Sequence, residues 1–219
     1  MNNIRGILLS MVLVTSSFAN DFNVEPLRTD EIGGTLGDID SRMWAAPGMI
    51  YRGRLYTWED YRDNDKVTWA HEGTHSINAR IRFETQKPNG YYLLYGNSKF
   101  LTNPNLTLRQ IAEAVPKDQR GVLYQNYLVN MTKYWNDTPL YVVDELTGYT
   151  NGAIVGVEYN LDRRAKESYS NAVEMYRYCD IAYDLCKEQQ YEDLAKFKEV
   201  LDIIQKRLVI LEKVLNSNK

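Results

Sequence analysis

Apolar side chains recur in steps of three and four along the C-terminal part of the chain, and this spacing strongly constrains the fold. It places those side chains along one stripe of an α-helix, which is typical of helices that pack side by side. The stripe comprises Tyr169, Ala172, Tyr176, Cys179, Tyr183, Cys186, Leu194, Phe197, Leu201, Ile204, Leu208, Leu211 and Leu215. With "KEQQ" as a turn between the two halves, residues 166–219 are expected to form an antiparallel helical hairpin whose stripe belongs to the core.

The first 19 residues have the pattern of a signal peptide. Arg5 supplies a basic start, residues 6–14 are apolar, and small residues at Ser17 and Ala19 fit a cleavage site after Ala19. A retained N-terminal anchor is the alternative interpretation. No later segment is apolar enough to cross a bilayer, so we expect no membrane span after signal removal and a secreted or periplasmic protein.

The remaining residues favour an α+β fold that is mainly helical. Residues 20–65 are rich in turn formers, with short extended pieces such as residues 49–56, and "YYLLYGNSKFLTNPN" indicates one or two strands. The "YYLLY" stretch fits either a buried strand or an edge that receives an extended peptide. Helices are predicted at residues 66–83 with Asp65 as the cap, at 107–115, after Asp118, and from 138 onward with Thr138 as the cap.

Charge and cysteine content restrict the function classes. A net charge of −3 gives no electrostatic basis for binding nucleic acid or an anionic membrane surface. Cys179 and Cys186 are the two cysteines, and seven residues of continuous helix would separate their Cα atoms by about 10.5 Å, beyond the roughly 7 Å limit of a disulfide. We therefore expect two packed thiols, with a disulfide only if the helix breaks between them.

The segment "KVTWAHEGTHSINARIRF" contains both histidines of the chain. On a helix, His71 and His75 lie one turn apart on the same face, so both imidazoles can reach one metal ion, with Glu72 beside them. Two histidines that fall at this spacing by chance are the alternative. The same face continues through Asn78 and Arg82, which can hydrogen-bond a carboxylate near the metal or form a surface ion pair.

A third metal ligand must come from elsewhere, because the chain has no third histidine. Catalytic zinc sites usually take three protein ligands, which leaves a carboxylate or, less readily, a cysteine. The helix after Thr138 has acids, tyrosines and glycines on one face: Tyr141, Asp144, Glu145, Gly148, Tyr149 and Gly152. Such a helix can pack its small residues against the histidine helix and direct Glu145 at the metal.

These two helices resemble the gluzincin branch of the zincin metallopeptidases, in which HExxH on one helix is completed by a glutamate on a later helix. The resemblance covers residues 66–160 and implies a zincin-like catalytic domain over residues 20–165. It also implies that His71, His75 and Glu145 bind Zn²⁺ and that Glu72 is the general base. Tyr149 stands where the thermolysin-like pattern ExxxD has its aspartate; Asp144 would then be the acid that supports a ligand, and Glu158 is the alternative third ligand.

The function implied by the resemblance is that of a zinc-dependent endopeptidase acting on a protein or peptide substrate. A water held on the metal would attack the peptide carbonyl while Glu72 takes its proton. A neutral phenol, from Tyr149 or less favourably Tyr159, would donate a hydrogen bond to the developing oxyanion. Two other classes fit the same residues: an exported metal-binding structural or binding protein without hydrolase activity, and a hydrolase of another bond.

Overall fold

A computed structural model describes residues 34–43, 49–51, 54–56, 62 and 65–217 of the chain. The predicted signal peptide and its cleavage site after Ala19 lie outside the described residues. Helices dominate the described part, which confirms the prediction of a mainly helical α+β fold. The α-helices are α1 (Thr35–Arg42), α2 (Lys66–Thr85), α3 (Leu108–Ala114), α4 (Thr132–Trp135), α5 (Tyr141–Glu158), α6 (Asp162–Glu188) and α7 (Leu194–Ser217).

The strands of the described residues form two short antiparallel pairs. Strand β1 (Met49–Tyr51) pairs with β2 (Arg54–Tyr56), and β3 (Asn89–Tyr92) pairs with β4 (Ser98–Leu101). The strand predictions for both regions are confirmed. Every residue of β3 is buried, and the backbone N–H of Tyr92 donates to Oδ1 of Asn78 at 2.6 Å. Tyr91 and Tyr92 of the "YYLLY" stretch therefore belong to a buried strand, whereas Tyr95 lies in the exposed turn that follows.

Helices α2, α5 and α6 form the centre of the molecule, because α5 packs against both of the others. Glycines allow this close approach: a Cβ at Gly148 would lie 3.0 Å from Nδ1 of His71, and one at Gly152 would lie 3.0 Å from the carbonyl oxygen of Val67. The prediction that α5 turns its small residues towards the histidine helix is confirmed. The contact fixes the distance between the two helices that carry the predicted ligands.

The C-terminal hairpin forms with α7 packed against α6, and α6 begins at Asp162, before the predicted start at residue 166. Its stripe is buried at Ala172, Cys179, Cys186 and most apolar positions of α7, whereas the tyrosines of the stripe are only partly buried. Helix α6 also packs closely against α5, where Ala165 lies against Gly156 and Ser168 lies against Gly152. The hairpin and the histidine helix therefore share one core.

Both cysteines are free and buried inside α6, as the prediction of two packed thiols requires. Burial raises the pKa of the Cys179 thiol and raises the pKa of the Cys186 thiol to about 12. Within the part of the chain that the structure describes, no helix is both long and apolar enough to cross a bilayer.

Helix boundaries follow the prediction at α2 and differ at α5. Asp65 caps α2, since its side chain accepts a hydrogen bond from the Thr68 N–H at 3.1 Å. Helix α5 begins at Tyr141, and its preceding residue Leu140 makes no side-chain cap. The prediction of Thr138 as the capping residue is wrong; its backbone carbonyl accepts the Tyr141 N–H instead, in a turn before the helix.

The segment after Asp118 is helical but is not an ordinary α-helix. A short 3₁₀ turn (Lys117–Gln119) is followed by a π-helix (Tyr124–Asn130), which leads into α4. π-Helices are rare and often lie at functional sites. This one carries Tyr127 to the face of the molecule that holds the histidines.

Candidate metal centre

The two histidines of α2 face each other across one helical turn. The ring centroids of His71 and His75 are 4.6 Å apart, and their Nε2 atoms are 2.9 Å apart. The i, i+4 spacing on a helix produces this arrangement, because it places both side chains on the same face. Both Nε2 atoms are thus directed to the same point.

Glu145 of α5 approaches the same point from the opposite side. Its Oε2 atom lies 3.4 Å from Nε2 of His71 and 3.6 Å from Nε2 of His75. This oxygen is buried, yet among the described residues it has no hydrogen-bond partner. A buried carboxylate oxygen that makes no hydrogen bond is costly, and a cation bound between it and the two histidines is one way to remove that cost.

The distances fit a zinc ion. Zinc bonds of about 2.0–2.2 Å at tetrahedral angles separate ligand atoms by about 3.3–3.6 Å. The two contacts of Glu145, at 3.4 and 3.6 Å, agree with that separation, and the 2.9 Å between the histidine nitrogens needs only a small opening. We call His71, His75 and Glu145 the triad; its candidate ligand atoms all lie within 4.8 Å of one another.

A second carboxylate orients the ring of His75. Oδ1 of Asp144 accepts hydrogen bonds from Nδ1 of His75 at 2.7 Å and from Nδ2 of Asn78 at 2.6 Å, while Oδ2 accepts from Nη1 of Arg82 at 2.6 Å. Carboxylates that hold the second nitrogen of a metal-binding histidine are a common feature of zinc sites. The structure thus gives Asp144 the supporting position that the sequence suggested, and both Asn78 and Arg82 contact it.

The charges around the triad favour ionised carboxylates. Burial alone would raise the pKa of Glu145, but its contacts with His71 and His75 outweigh burial and lower that pKa to about 2. Burial alone would lower the pKa of His75, but the charge and hydrogen bond of Asp144, together with Glu145, raise it well above its usual value. The carboxylate of Glu145 is therefore anionic at neutral pH, as a metal ligand must be.

A cleft of about 230 Å³ opens beside the triad. Helices α2, α5 and α6 and the π-helix contribute its walls. The lining residues are Val67, Thr68, His71, Glu72, Tyr127, Tyr149, Arg164, Glu167, Ser168 and Asn171. The predicted base Glu72 and the predicted phenol Tyr149 thus share one cleft with His71.

Tyr149 lies directly against the first histidine. Its ring meets the ring of His71 edge to face, with centroids 4.4 Å apart and an interplanar angle of 67°. Its hydroxyl oxygen is 2.6 Å from the hydroxyl oxygen of Tyr127. Burial raises the pKa of Tyr149, and the neighbouring Tyr127 adds to that effect, so the phenol stays neutral and able to donate a hydrogen bond.

The two alternative residues lie away from the triad. Glu158 is at the far end of α5, where its Oε1 accepts a hydrogen bond from the Thr35 N–H at 3.3 Å. Thirteen residues of helix separate it from Glu145, which corresponds to about 20 Å. The ring of Tyr159 is 44% exposed and packs under Nζ of Lys66, outside the cleft lining.

Sequence reasoning missed the cleft residues that lie outside the two ligand helices. Tyr127 comes from the π-helix, and Arg164 and Asn171 come from the first turns of α6. Arg164 donates through Nη2 to Oδ2 of Asp65 at 2.6 Å, next to the start of α2. No local spacing links these residues to the histidines, since only the packing of α6 on α5 brings them together.

Known proteins offer no guide to this site, and its interpretation therefore rests on its own geometry. No family model, curated protein sequence or solved structure matches the chain.

Proposed function

We propose that the protein is a zinc-dependent peptidase of the zincin type, in which His71, His75 and Glu145 hold the metal. The observation that carries the proposal is the buried Oε2 of Glu145, which lies within 3.6 Å of both histidine nitrogens and has no hydrogen-bond partner among the described residues. Three converging ligands of this kind are the set that a catalytic zinc site uses.

Each step of the proposed peptide hydrolysis is assigned to a different group at the cleft. A zinc ion bound by the triad would lower the pKa of a water molecule and polarise a peptide carbonyl. Glu72 follows His71 in the chain and lines the cleft, so its carboxylate can take the proton of the attacking water and later deliver it to the leaving amine. The neutral phenol of Tyr149 can donate to the oxyanion that develops on the former carbonyl oxygen.

The cleft favours a catalytic metal site over a structural one that would only join two helices. A structural zinc site is closed by four protein ligands, whereas a catalytic site leaves a position open. Here the triad supplies three ligands, and His71 lies in the wall of the cleft. The same wall carries a carboxylate and a phenol, which a purely structural site does not need.

Metal content tests the ligand set. We expect the parent chain to hold about one zinc ion, and His71→Ala, His75→Ala or Glu145→Ala to lose it, because each removes one of three ligands. Glu158→Ala is the matched control on α5 and should keep the zinc of the parent. Zinc loss in Glu158→Ala with retention in Glu145→Ala would contradict the assignment of the third ligand.

Cleavage of a peptide library tests the reaction. Glu72→Gln keeps the shape of the side chain but removes the proton acceptor, so cleavage should fall by about 10²–10⁴-fold with zinc content unchanged. Glu84→Gln is the control on the same helix, where Glu84 pairs with Arg80 on the surface. Full cleavage by zinc-loaded Glu72→Gln would exclude this mechanism, and a zinc-loaded parent that cleaves no peptide would favour the non-enzymatic alternative.

A further inference from the structure

Tyr127 is a second phenol in the cleft, in contact with Tyr149, and it has no role in the reaction proposed above. The two hydroxyl oxygens are 2.6 Å apart and the rings meet edge to face, with centroids 6.1 Å apart. Both tyrosines line the cleft together with Glu72. Tyr127 is thus one hydrogen bond away from the phenol that lies against His71.

Tyr127 is held in place by contacts on both sides of the π-helix. On the α5 side, the hydroxyl of Tyr141 donates to the backbone carbonyl of Tyr127. On the α6 side, the buried carboxylate of Glu174 accepts the backbone N–H groups of Val122 and Leu123, at 3.1 and 2.7 Å. The Glu174 bonds satisfy backbone donors at the start of the π-helix. Together with the Tyr141 bond, they fix the position of Tyr127 relative to the cleft.

Two hydroxyl groups at this distance share one hydrogen atom between their oxygens. The hydroxyl that accepts retains its own hydrogen, which must then point to another partner. A hydroxyl that accepts one hydrogen bond also becomes a better donor in the next one.

We propose that Tyr127 is a positioning residue that donates its hydroxyl hydrogen to Tyr149 and so turns the hydroxyl hydrogen of Tyr149 into the cleft. This inference rests on the proposed function, in which Tyr149 donates to the oxyanion. Tyr127 itself does not touch the reacting atoms. It acts by fixing the direction of the one donor that does, which matters most when charge develops in the transition state.

The test is Tyr127→Phe, which removes one oxygen and leaves the ring in place. We expect kcat to fall about tenfold, with KM and zinc content unchanged, because the loss affects a donor that acts in the transition state. Tyr124→Phe is the matched control: it makes the same change on the same π-helix, where the Tyr124 hydroxyl donates to the Ala112 carbonyl away from the cleft. It should behave as the parent does, and an equal loss in this control would overturn the proposal.

A double-variant cycle distinguishes action through Tyr149 from other effects. Tyr149→Phe should lower kcat by about 10²-fold, and adding Tyr127→Phe should lower it no further, since the donor it orients is already gone. A further tenfold loss in the double variant would overturn the proposal. Parent-like kcat in the single Tyr127→Phe variant would do the same, while leaving the proposed function intact.

A readout that does not depend on turnover separates this inference from the proposed function. In protein labelled with ¹³C at the tyrosine rings, the Tyr149 signal is identified as the one lost in Tyr149→Phe. That signal should shift in Tyr127→Phe and stay in place in Tyr124→Phe. If the parent cleaves nothing, the proposed function fails; an unchanged Tyr149 signal in Tyr127→Phe would overturn the contact on which the present inference depends.

Discussion

At the scale of single residues, the two nitrogens of His75 have different duties. Nε2 faces the point where the triad converges, and Nδ1 is held by Asp144, whose other oxygen is held by Arg82. The imidazole is therefore held in one orientation by protein contacts alone. Preorganisation of this kind reduces the cost of binding, because the ring loses no further rotational freedom.

Asp144→Asn tests that orientation. The amide keeps the size of the side chain but weakens the bonds to His75 and Arg82, so we expect zinc affinity to fall by about 10- to 100-fold. Competition with a chromophoric chelator measures the affinity. Asp180→Asn on α6, where Asp180 is exposed, is the control and should match the parent; an Asp144→Asn variant with parent affinity would show that the orienting bond is dispensable.

The residues of the triad were predictable because each follows from spacing within one helix. His71 and His75 follow from the i, i+4 rule, and Glu145 follows from the face that it shares with Gly148 and Tyr149. Tyr127 was not predictable, because no spacing rule connects a residue of the π-helix to a histidine on another element. Its position depends on Glu174, which lies far along the chain.

At the scale of elements, the long amphipathic helices were predictable and the π-helix was not. Apolar side chains that recur every three or four residues over several turns predict α6 and α7, because this pattern depends only on the local sequence. The stretch from Gly121 to Asn130 lacks such a repeat, and its backbone is set by the carboxylate of Glu174 and the hydroxyl of Tyr178 on α6. The prediction of Thr138 as the cap of α5 was wrong because Thr138 belongs to a turn that precedes this helix.

Leu201→Ala tests the burial of the hairpin stripe. The Leu201 side chain is 1% exposed, so its truncation should lower the free energy of unfolding by about 2–5 kcal/mol. Chemical denaturation followed by circular dichroism measures this change. Val209→Ala on the same helix, where the side chain is 45% exposed, should differ from the parent by less than about 0.5 kcal/mol. A Leu201→Ala curve that overlays the parent curve would mean that the stripe does not form the core.

The two thiols of α6 offer a second test of the same element. Because burial raises the pKa of both groups, Cys179 and Cys186 should remain protonated at pH 8 and react slowly with a disulfide reagent in the native protein. Unfolding in denaturant should expose both, giving two reactive thiols per chain. Rapid reaction before unfolding would contradict the packing described for α6, and no reaction after unfolding would indicate a disulfide.

At the scale of the whole molecule, the proposed metal joins α2 to α5, and α5 contacts both helices of the hairpin. A ligand that binds only the folded state stabilises it by about 2.7 kcal/mol when its free concentration is about 100 times Kd. For a chain of this size that corresponds to a rise in Tm of about 5–10 °C. Removal of zinc with a chelator should lower the Tm of the parent by that amount.

His71→Ala is the control for the chelation experiment. It lacks one ligand, so its Tm should not respond to the chelator, whereas Glu84→Gln should respond as the parent does. Calorimetry in the presence and absence of chelator makes the comparison. An equal response in His71→Ala and the parent would show that the chelator acts at some place other than the triad.

The bond between His75 and Asp144 joins residues that are 69 positions apart in the chain, and this separation has a kinetic consequence. The histidine pair is local and is complete as soon as α2 forms, which takes about a microsecond for a helix of this length. Glu145 and Asp144 arrive only after a long loop has closed and α5 has packed, steps that are slower because they depend on distant contacts. If the triad binds zinc as proposed, a nascent chain would present a weak two-histidine site first, and tight capture of zinc would mark the moment at which the central helices have met.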